Sequence, residues 1–432
     1  MRIQVEGGAP LHGQYTPSGS ANAAQAMMAA ALLAGSPSTL HRVPRTGSTT
    51  AMIAAVEALG ASAVWARDET ASTVVIDPAS LARRVLVQPE SDATLAAMLL
   101  LAPLLVHRGH VRMEIDFPVS RIHPHIDALR ELGFGVTTGG GALECTTTPR
   151  VAAWMTAEPR EVTLLQTSVT ATALLMMLGA RLGRETCLRN AACEPHIAAL
   201  AHMLNAMGAR IEGIGSNVLV VHGAESLRGV EATVIPDVIE AASVAAMAAL
   251  TSGRVQIGPI GMAGLGVIGR NYRLLGIEME HDGEQLYLPR HEHLTLSSRD
   301  EDLDPAIESA PWPGFPSDLI AIATVIATQT SGTLLIHEKL FHNRLLFIDK
   351  LKAMGAQIVL CDPHRAIVMG GAPLHGIYMD TPDVRTGLGM LTAALAAHGT
   401  STLDNAHSLS QTFDGVIEKL QALGARITVE QP

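Results

Sequence analysis

Several residue groups have types and spacings that bear on chemistry. His281, His291 and His293 lie in a polar stretch beside Asp282 and Glu292. Such a set suits a metal ion or a solvated loop, and its polar surroundings favour the loop. Gly264-Leu265-Gly266-Val267-Ile268-Gly269 has the glycine pattern of a dinucleotide-binding turn. No convincing acid follows about 20 residues on at a strand end, so the segment reads as a loop entering a helix. Gly139-Gly140-Gly141 is a hairpin or loop tip, because no Lys-Ser/Thr follows to complete a phosphate cradle. Asp318 lies in Phe315-Pro316-Ser317-Asp318, where Pro313, Gly314 and Pro316 fix a loop before a helix from Leu319. Taken alone, Ser317 or Asp318 sits where a helix N-cap belongs. Arg344 and Arg385, taken alone, are partners of neighbouring acids such as Asp383.

The elements that carry these residues come from an apolar chain. It has 432 residues, 48% hydrophobic and 16% charged, which excludes disorder as its main state. The length suggests two or three domains. Thirty Lys and Arg residues face 41 Asp and Glu, a net charge of -11. That balance argues against a nucleic-acid groove and leaves room for a local anion site. Lys339, Lys350, Lys352 and Lys419 are the only lysines, so none occurs before position 339. The longest apolar stretch, 93–106, is broken by Pro103 and falls short of the roughly 20 residues of a membrane span. The first residues, Met1-Arg2-Ile3-Gln4-Val5-Glu6, contain no apolar signal-peptide core. Cys145, Cys187, Cys193 and Cys361 form no CxxC pair. Neither a disulfide scaffold nor a zinc site is expected, and the cytoplasm is the expected compartment.

Internal repetition is the strongest signal. An apolar helix end, a glycine and a short strand recur at Gly60, Gly133, Gly208, Gly276, Gly355 and Gly424. The copies are roughly seventy residues apart. Glycine just past a helix takes a left-handed C-cap at little steric cost. The alternation in Arg426-Ile427-Thr428-Val429 suits the strand that follows. A second phrase, Gly and then a strand after an Ala/Leu-rich helix, precedes most copies, as in Ser331-Gly332-Thr333-Leu334-Leu335-Ile336. Helices such as 23–34 and 244–250 are apolar nearly all round and belong at a domain centre with sheets outside. The pattern predicts an α/β fold with two lobes of three units each and a hinge near 227–230. An N-terminal lobe would span 20–228. The strand at 2–5 and the hairpin after it would complete the other lobe, 1–19 plus 229–432.

Six phrases in order along this repeat resemble the enolpyruvyl transferase family. Ser18-Gly19-Ser20-Ala21-Asn22-Ala23 is similar to Ser-Gly-x-Lys-Asn-Ala, and Asn190-Ala191-Ala192-Cys193-Glu194-Pro195-His196-Ile197 to Asn-Ala-Ala-x-Glu-Pro-Glu-Ile. Pro236-Asp237-Val238-Ile239-Glu240 resembles Pro-Asp-Arg-Ile-Glu, and Phe315-Pro316-Ser317-Asp318 resembles Phe-Pro-Thr-Asp. Phe341-His342-Asn343-Arg344 and Asp383-Val384-Arg385 are similar to Phe-Glu-Asn-Arg and Asp-Leu-Arg. The resemblance covers essentially the whole chain. It implies a two-lobed inside-out α/β barrel of six βαβαββ units. It also implies transfer of the enolpyruvyl group of phosphoenolpyruvate to a hydroxyl of a nucleotide sugar or nucleotide, with release of phosphate. The setting would be peptidoglycan or specialised metabolism, with small molecules as the only partners: no cofactor, metal, nucleic acid or membrane.

The same resemblance assigns site residues. Asp318 would be the base that takes the hydroxyl proton. Arg344 and Arg385 would bind anionic substrate groups, with Arg121, one residue out of register. Asn22, His125, Ser168, Val169 and Glu194 would line the substrate sites. The chain also departs from the family. Ala21 replaces the lysine before the asparagine, Gln411 the late arginine, and Gln166 the lysine of Lys-x-Ser-Val-Gly. The 90–94 segment lacks the arginine of Arg-Ala-Ser. Glu114-Ile115-Asp116-Phe117-Pro118-Val119-Ser120 stands where the family's mobile loop carries a cysteine, so Asp116 is the stand-in acid. Losing a cation at Gln166 removes a charge-assisted bond to phosphate and favours a monophosphate or phosphate-free acceptor over a diphosphate. The departures leave two alternatives: a diverged enzyme that does not use phosphoenolpyruvate, and a non-catalytic binding relative.

Overall fold

The computed structural model describes all residues except 67–71, 80, 82–84, 87–94, 157–158, 262–264, 298–304, 381–383 and 431–432. It also leaves out the side chains of 85, 86, 95, 384, 385 and 410. The glycines of the recurring phrase all have positive φ, from 83° at Gly276 to 122° at Gly208. The demand is steric as well as torsional at Gly276, where an added Cβ would meet the Thr295 carbonyl oxygen at 2.7 Å. Each glycine releases the chain into a strand: Ser62–Trp65, Gly135–Gly139, Arg210–Glu212, Glu280–Asp282, Gln357–Asp362 and Arg426–Glu430. Every one of these is the edge of a four-stranded sheet.

Among the described residues these six sheets share one pairing order. Two neighbouring strands run parallel, and the third and fourth follow antiparallel. Their strands alternate buried and exposed residues, as in Arg2–Glu6 and Arg365–Met369, so each sheet has one wet face. The helices are the opposite. Ala21–Ala31 is buried at every position but Asn22, and Ile320–Gln329 at every position but Gln329. Helices Val238–Leu250, Ile320–Gln329 and Val384–Ala396 pack on one another, each against strands of a surrounding sheet. Val169–Arg181 packs likewise on Leu101–Arg108 and on the 3-10 turn Leu95–Leu100. A helix that is apolar all round has no solvent face to offer, so it goes inside and the sheets take the water.

The chain divides into two compact units, 19–235 and 1–18 with 236–432. The N-terminal strand Arg2–Glu6 lies between Thr400–Asp404 and Arg426–Glu430, antiparallel to both. His12–Tyr15 runs parallel to Arg254–Ile257. The second crossing lies later than the 227–230 expected from the sequence. Strand Glu231–Thr233 pairs in parallel with Ser38–His41 and stays with the 19–235 unit. That strand has three residues and no apolar alternation, so only its long-range partner reveals it.

Candidate active site

Asp318 belongs to the 3-10 turn Ser317–Leu319, which opens the buried helix Ile320–Gln329. Its carboxylate pairs with the Arg344 guanidinium, Nη1 to Oδ1 at 3.2 Å. Arg344 is only 8% exposed, whereas the Asp318 side chain is 43% exposed. The pair therefore joins a buried cation to a carboxylate open on one side. Nη1 of Arg344 also donates to the Ser317 carbonyl at 3.4 Å, and the guanidinium lies over the Phe341 ring at 4.7 Å. Ser317 is not the N-cap that its position suggests. Its hydroxyl turns inward and donates to Glu338 Oε2 at 2.5 Å.

A second polar cluster in the same unit was not legible as a site. Asp237 caps helix Val238–Leu250, its Oδ1 accepting from the N–H groups of Ile239 and Glu240 at 2.9 and 3.0 Å. Burial pushes the Asp237 carboxyl up to about 7, helped by the charges of Glu240 and Asp318. Glu240 is buried and accepts from the Tyr15 hydroxyl at 2.5 Å and the Ser18 N–H at 3.1 Å. Lys419 Nζ lies 3.0 Å from Glu240 Oε1, donates to the Ser18 hydroxyl and sits 5.5 Å from the Tyr15 ring centroid. Asp237 and Glu240 lie in one of the family phrases, and Pro-Asp before an apolar run marks a helix start, but neither signal gave them a role. The partners Tyr15 and Lys419 come from the two ends of the chain and left no local pattern. Gln411 is half-buried and follows the short helix His407–Ser410. Arg385 lies in the first turn of Val384–Ala396, and its side chain is outside the described residues, as is Asp383.

In the other unit the expected binding residues gather at the start of Val169–Arg181. Ser168 is the N-cap, its hydroxyl accepting from Ala171 N at 3.3 Å, and Val169 is the first helical residue. His125, only 1% exposed, places Nε2 2.8 Å from the Thr170 hydroxyl. Thr167 donates to Asn190 Oδ1 at 2.8 Å, and Asn190 donates to the Leu164 carbonyl at 2.8 Å. Ala192 N donates to Thr172 Oγ1 at 2.9 Å. These bonds tie the Ser168 loop to the segment that leads to Glu194, half-buried at the start of Pro195–Met207. Asn22 and Asp116 are exposed, the first in the opening turn of Ala21–Ala31, the second in the turn after His110–Glu114. Arg121 is exposed with its guanidinium 5.8 Å from the Phe117 ring centroid. Among the described contacts these three residues do not bond to the His125 cluster.

His125 gives a prediction about stability. Burial holds its pKa down at about 4, against an ordinary 6.5. Between those values the unfolded ring takes a proton that the folded ring refuses, so its contribution is complete above pH 6.5 and is lost as pH falls towards 4. A shift of that size corresponds to roughly 3 kcal/mol. Urea unfolding at pH 7 and pH 4.5 should show His125→Gln losing less stability on acidification than the native chain. Equal losses would refute the assignment.

Two compact units, helices enclosed by sheets, and a carboxylate–arginine pair at a helix start fit a carboxyvinyl transferase. A family model described as EPSP synthase (3-phosphoshikimate 1-carboxyvinyltransferase) matches residues 5–420. The chain belongs to this family of enolpyruvyl transferases, and it is an enzyme of the carboxyvinyl-transferase type. It is 40% identical to UDP-N-acetylglucosamine 1-carboxyvinyltransferase of Bradyrhizobium diazoefficiens, over 98% of this chain and 96% of that one. The enzyme of the same name from Bacteroides thetaiotaomicron is 35% identical, over 98% of each chain. The enolpyruvyl transferase NikO from Streptomyces tendae has the same fold, with a TM-score of 0.84 at 24% identity, over 99% of this chain and 98% of that one. EPSP synthase from Acinetobacter baumannii superposes with a TM-score of 0.74 at 18% identity over all of both chains. No described helix is long and apolar enough to cross a membrane.

Proposed function

We propose that this enzyme moves the enolpyruvyl group of phosphoenolpyruvate to a hydroxyl of a nucleotide sugar or nucleotide in the cytoplasm. The six sheets and their buried helices are read as six copies of one βαβαββ unit, three to a lobe, in an inside-out barrel. The observation that carries the reading is the Asp318–Arg344 pair. A half-exposed carboxylate held by a buried guanidinium is a base fixed in direction. Asp318 takes the proton of the acceptor hydroxyl as its oxygen bonds to C2 of the enolpyruvyl group, and C3 gains a proton. The C2–phosphate bond then breaks, and C3 gives its proton back as the double bond reforms. Arg344 and Arg385 bind anionic groups of phosphoenolpyruvate, and Gln411, Asn22 and the out-of-register Arg121 are further substrate-binding candidates from the family resemblance. Asp116 supplies the acid that the family's loop cysteine supplies elsewhere. Ser168, Val169, His125 and Glu194 form the acceptor site, where Gln166 disfavours a diphosphate.

A second reading has its own support. Ala21, at the position of the family lysine, is 6% exposed in the first helical turn and offers no charge. Such a site suits a family member with a donor other than phosphoenolpyruvate. Phosphate release from phosphoenolpyruvate separates the two, with UDP-N-acetylglucosamine, UMP and simple sugar phosphates as acceptors. Release that depends on one acceptor establishes the transfer and its substrate class. No release from folded protein with any of them moves the weight to the second reading.

A further inference from the structure

A fully buried carboxylate beside the Asp318 turn is not one of the reacting groups. Glu338 is 0% exposed and follows strand Thr333–His337. Its Oε1 accepts from the Ser309 hydroxyl at 2.8 Å and from the N–H groups of Leu340 and Phe341 at 2.8 and 3.1 Å. Its Oε2 accepts from the Ser317 hydroxyl at 2.5 Å. Three stretches of chain therefore converge on one anion. The first ends strand Ala306–Glu308 at Ser309, which also accepts from Lys339 N at 2.8 Å. The second is the Ser317–Leu319 turn with Asp318 as its middle residue. The third is the Leu340–Phe341 segment, three residues before Arg344. A ring contact holds it from outside, since His364 Nδ1 lies 2.8 Å from the Glu338 carbonyl oxygen.

We infer that Glu338 is a positioning residue that sets the Asp318 carboxylate and the Arg344 guanidinium in register. The inference rests on the reading of Asp318 as base and Arg344 as anion binder. Asp318 reaches the anchor through the neighbouring Ser317 hydroxyl, and Arg344 reaches it through the N–H groups that shape its loop. Arg344 closes the circuit by donating to the Ser317 carbonyl and to Asp318 itself. A buried carboxylate with four donors and a short, packed side chain has little freedom, so it passes its own rigidity to both ends of the pair. The bonds that matter are geometric: what Glu338 supplies is acceptors at fixed points.

Position and charge can be separated. Glu338→Asp keeps the charge and withdraws the acceptors by about 1.5 Å, one carbon–carbon bond. A misplacement of that order costs about 10²-fold in kcat. Glu338→Gln keeps the length and the Oε1 acceptor and reverses the bond to Ser317, so its kcat falls by no more than about tenfold. Ser317→Ala removes one donor and leaves the bonds to Ser309, Leu340 and Phe341, so it reads the same coupling even if Glu338→Asp fails to fold. Its kcat falls by about tenfold, and KM for the acceptor stays within about threefold in every variant. The measurement is steady-state phosphate release with thermal midpoints for each variant, beside Asp318→Asn and Arg344→Lys. Native kcat in Glu338→Asp and Ser317→Ala, with Asp318→Asn inactive, overturns the inference and leaves the active-site reading standing. A loss in Glu338→Gln as large as that in Glu338→Asp, or larger, also overturns it, because the position of the acceptors is then not what sets turnover. Native turnover in Asp318→Asn overturns the reading beneath it.

Discussion

Replacing Asp318 with asparagine should lower kcat for phosphate release by about 10³-fold, the middle of the range for loss of a general base. The substitution keeps the shape of the side chain and keeps an oxygen for the Arg344 N–H, which now stands 3.2 Å from Oδ1. The amide cannot take the acceptor's proton. Because the Asp318 side chain is 43% exposed, the pair contributes little to folding, about 1 kcal/mol or less. The thermal midpoint should therefore stay near that of the native chain while turnover collapses. Substrate-dependent phosphate release at the native rate would remove Asp318 from the mechanism.

Arg344 carries the second large effect. Its guanidinium bonds to the Ser317 carbonyl and the Asp318 carboxylate and lies over the Phe341 ring. A planar fork can hold all three contacts at once, whereas an ammonium on a flexible stem cannot. Arg344→Lys should therefore behave as a loss and not as a conservative change. The expected fall in kcat/KM for phosphoenolpyruvate is about 10²-fold, the cost of one preorganised contact to developing charge. Little compensation is expected, because the chain has no lysine before Lys339 and the family resemblance aligns Ala21 and Gln411 with two of the family's cations. Unchanged kcat/KM in Arg344→Lys would show that the anion of the donor binds elsewhere.

Lys419 shows how far the sequence reaches. It is the last of four lysines, in the Glu418-Lys419-Leu420 turn of a helix whose only visible feature is its apolar spacing. Nothing near it in sequence hints that its ammonium lies 3.0 Å from Glu240. Glu338 is a similar case, since its four donors come from positions 309, 317, 340 and 341. His125 could be assigned to the substrate sites from the family resemblance, but its near-complete burial and depressed pKa depend on helix Val169–Arg181 packing over it.

What the sequence determined by itself is what short-range physics controls. Six glycines past helix ends required positive φ, and all six have it. Helices apolar on every side had to lie inside, and strands alternating in polarity had to keep one wet face. The order of the family phrases followed from the chain alone. The tertiary structure decided which residues meet. It moved the second crossing to 235–236, because strand Glu231–Thr233 bonds to Ser38–His41 far back in the chain. It turned Ser317 from a helix cap into a donor to Glu338, and it set Arg344 against Asp318. Such contacts join residues that have no fixed spacing along the chain. They are decided by how buried polar groups find partners once the helices have packed, and that outcome leaves no period in the sequence to read.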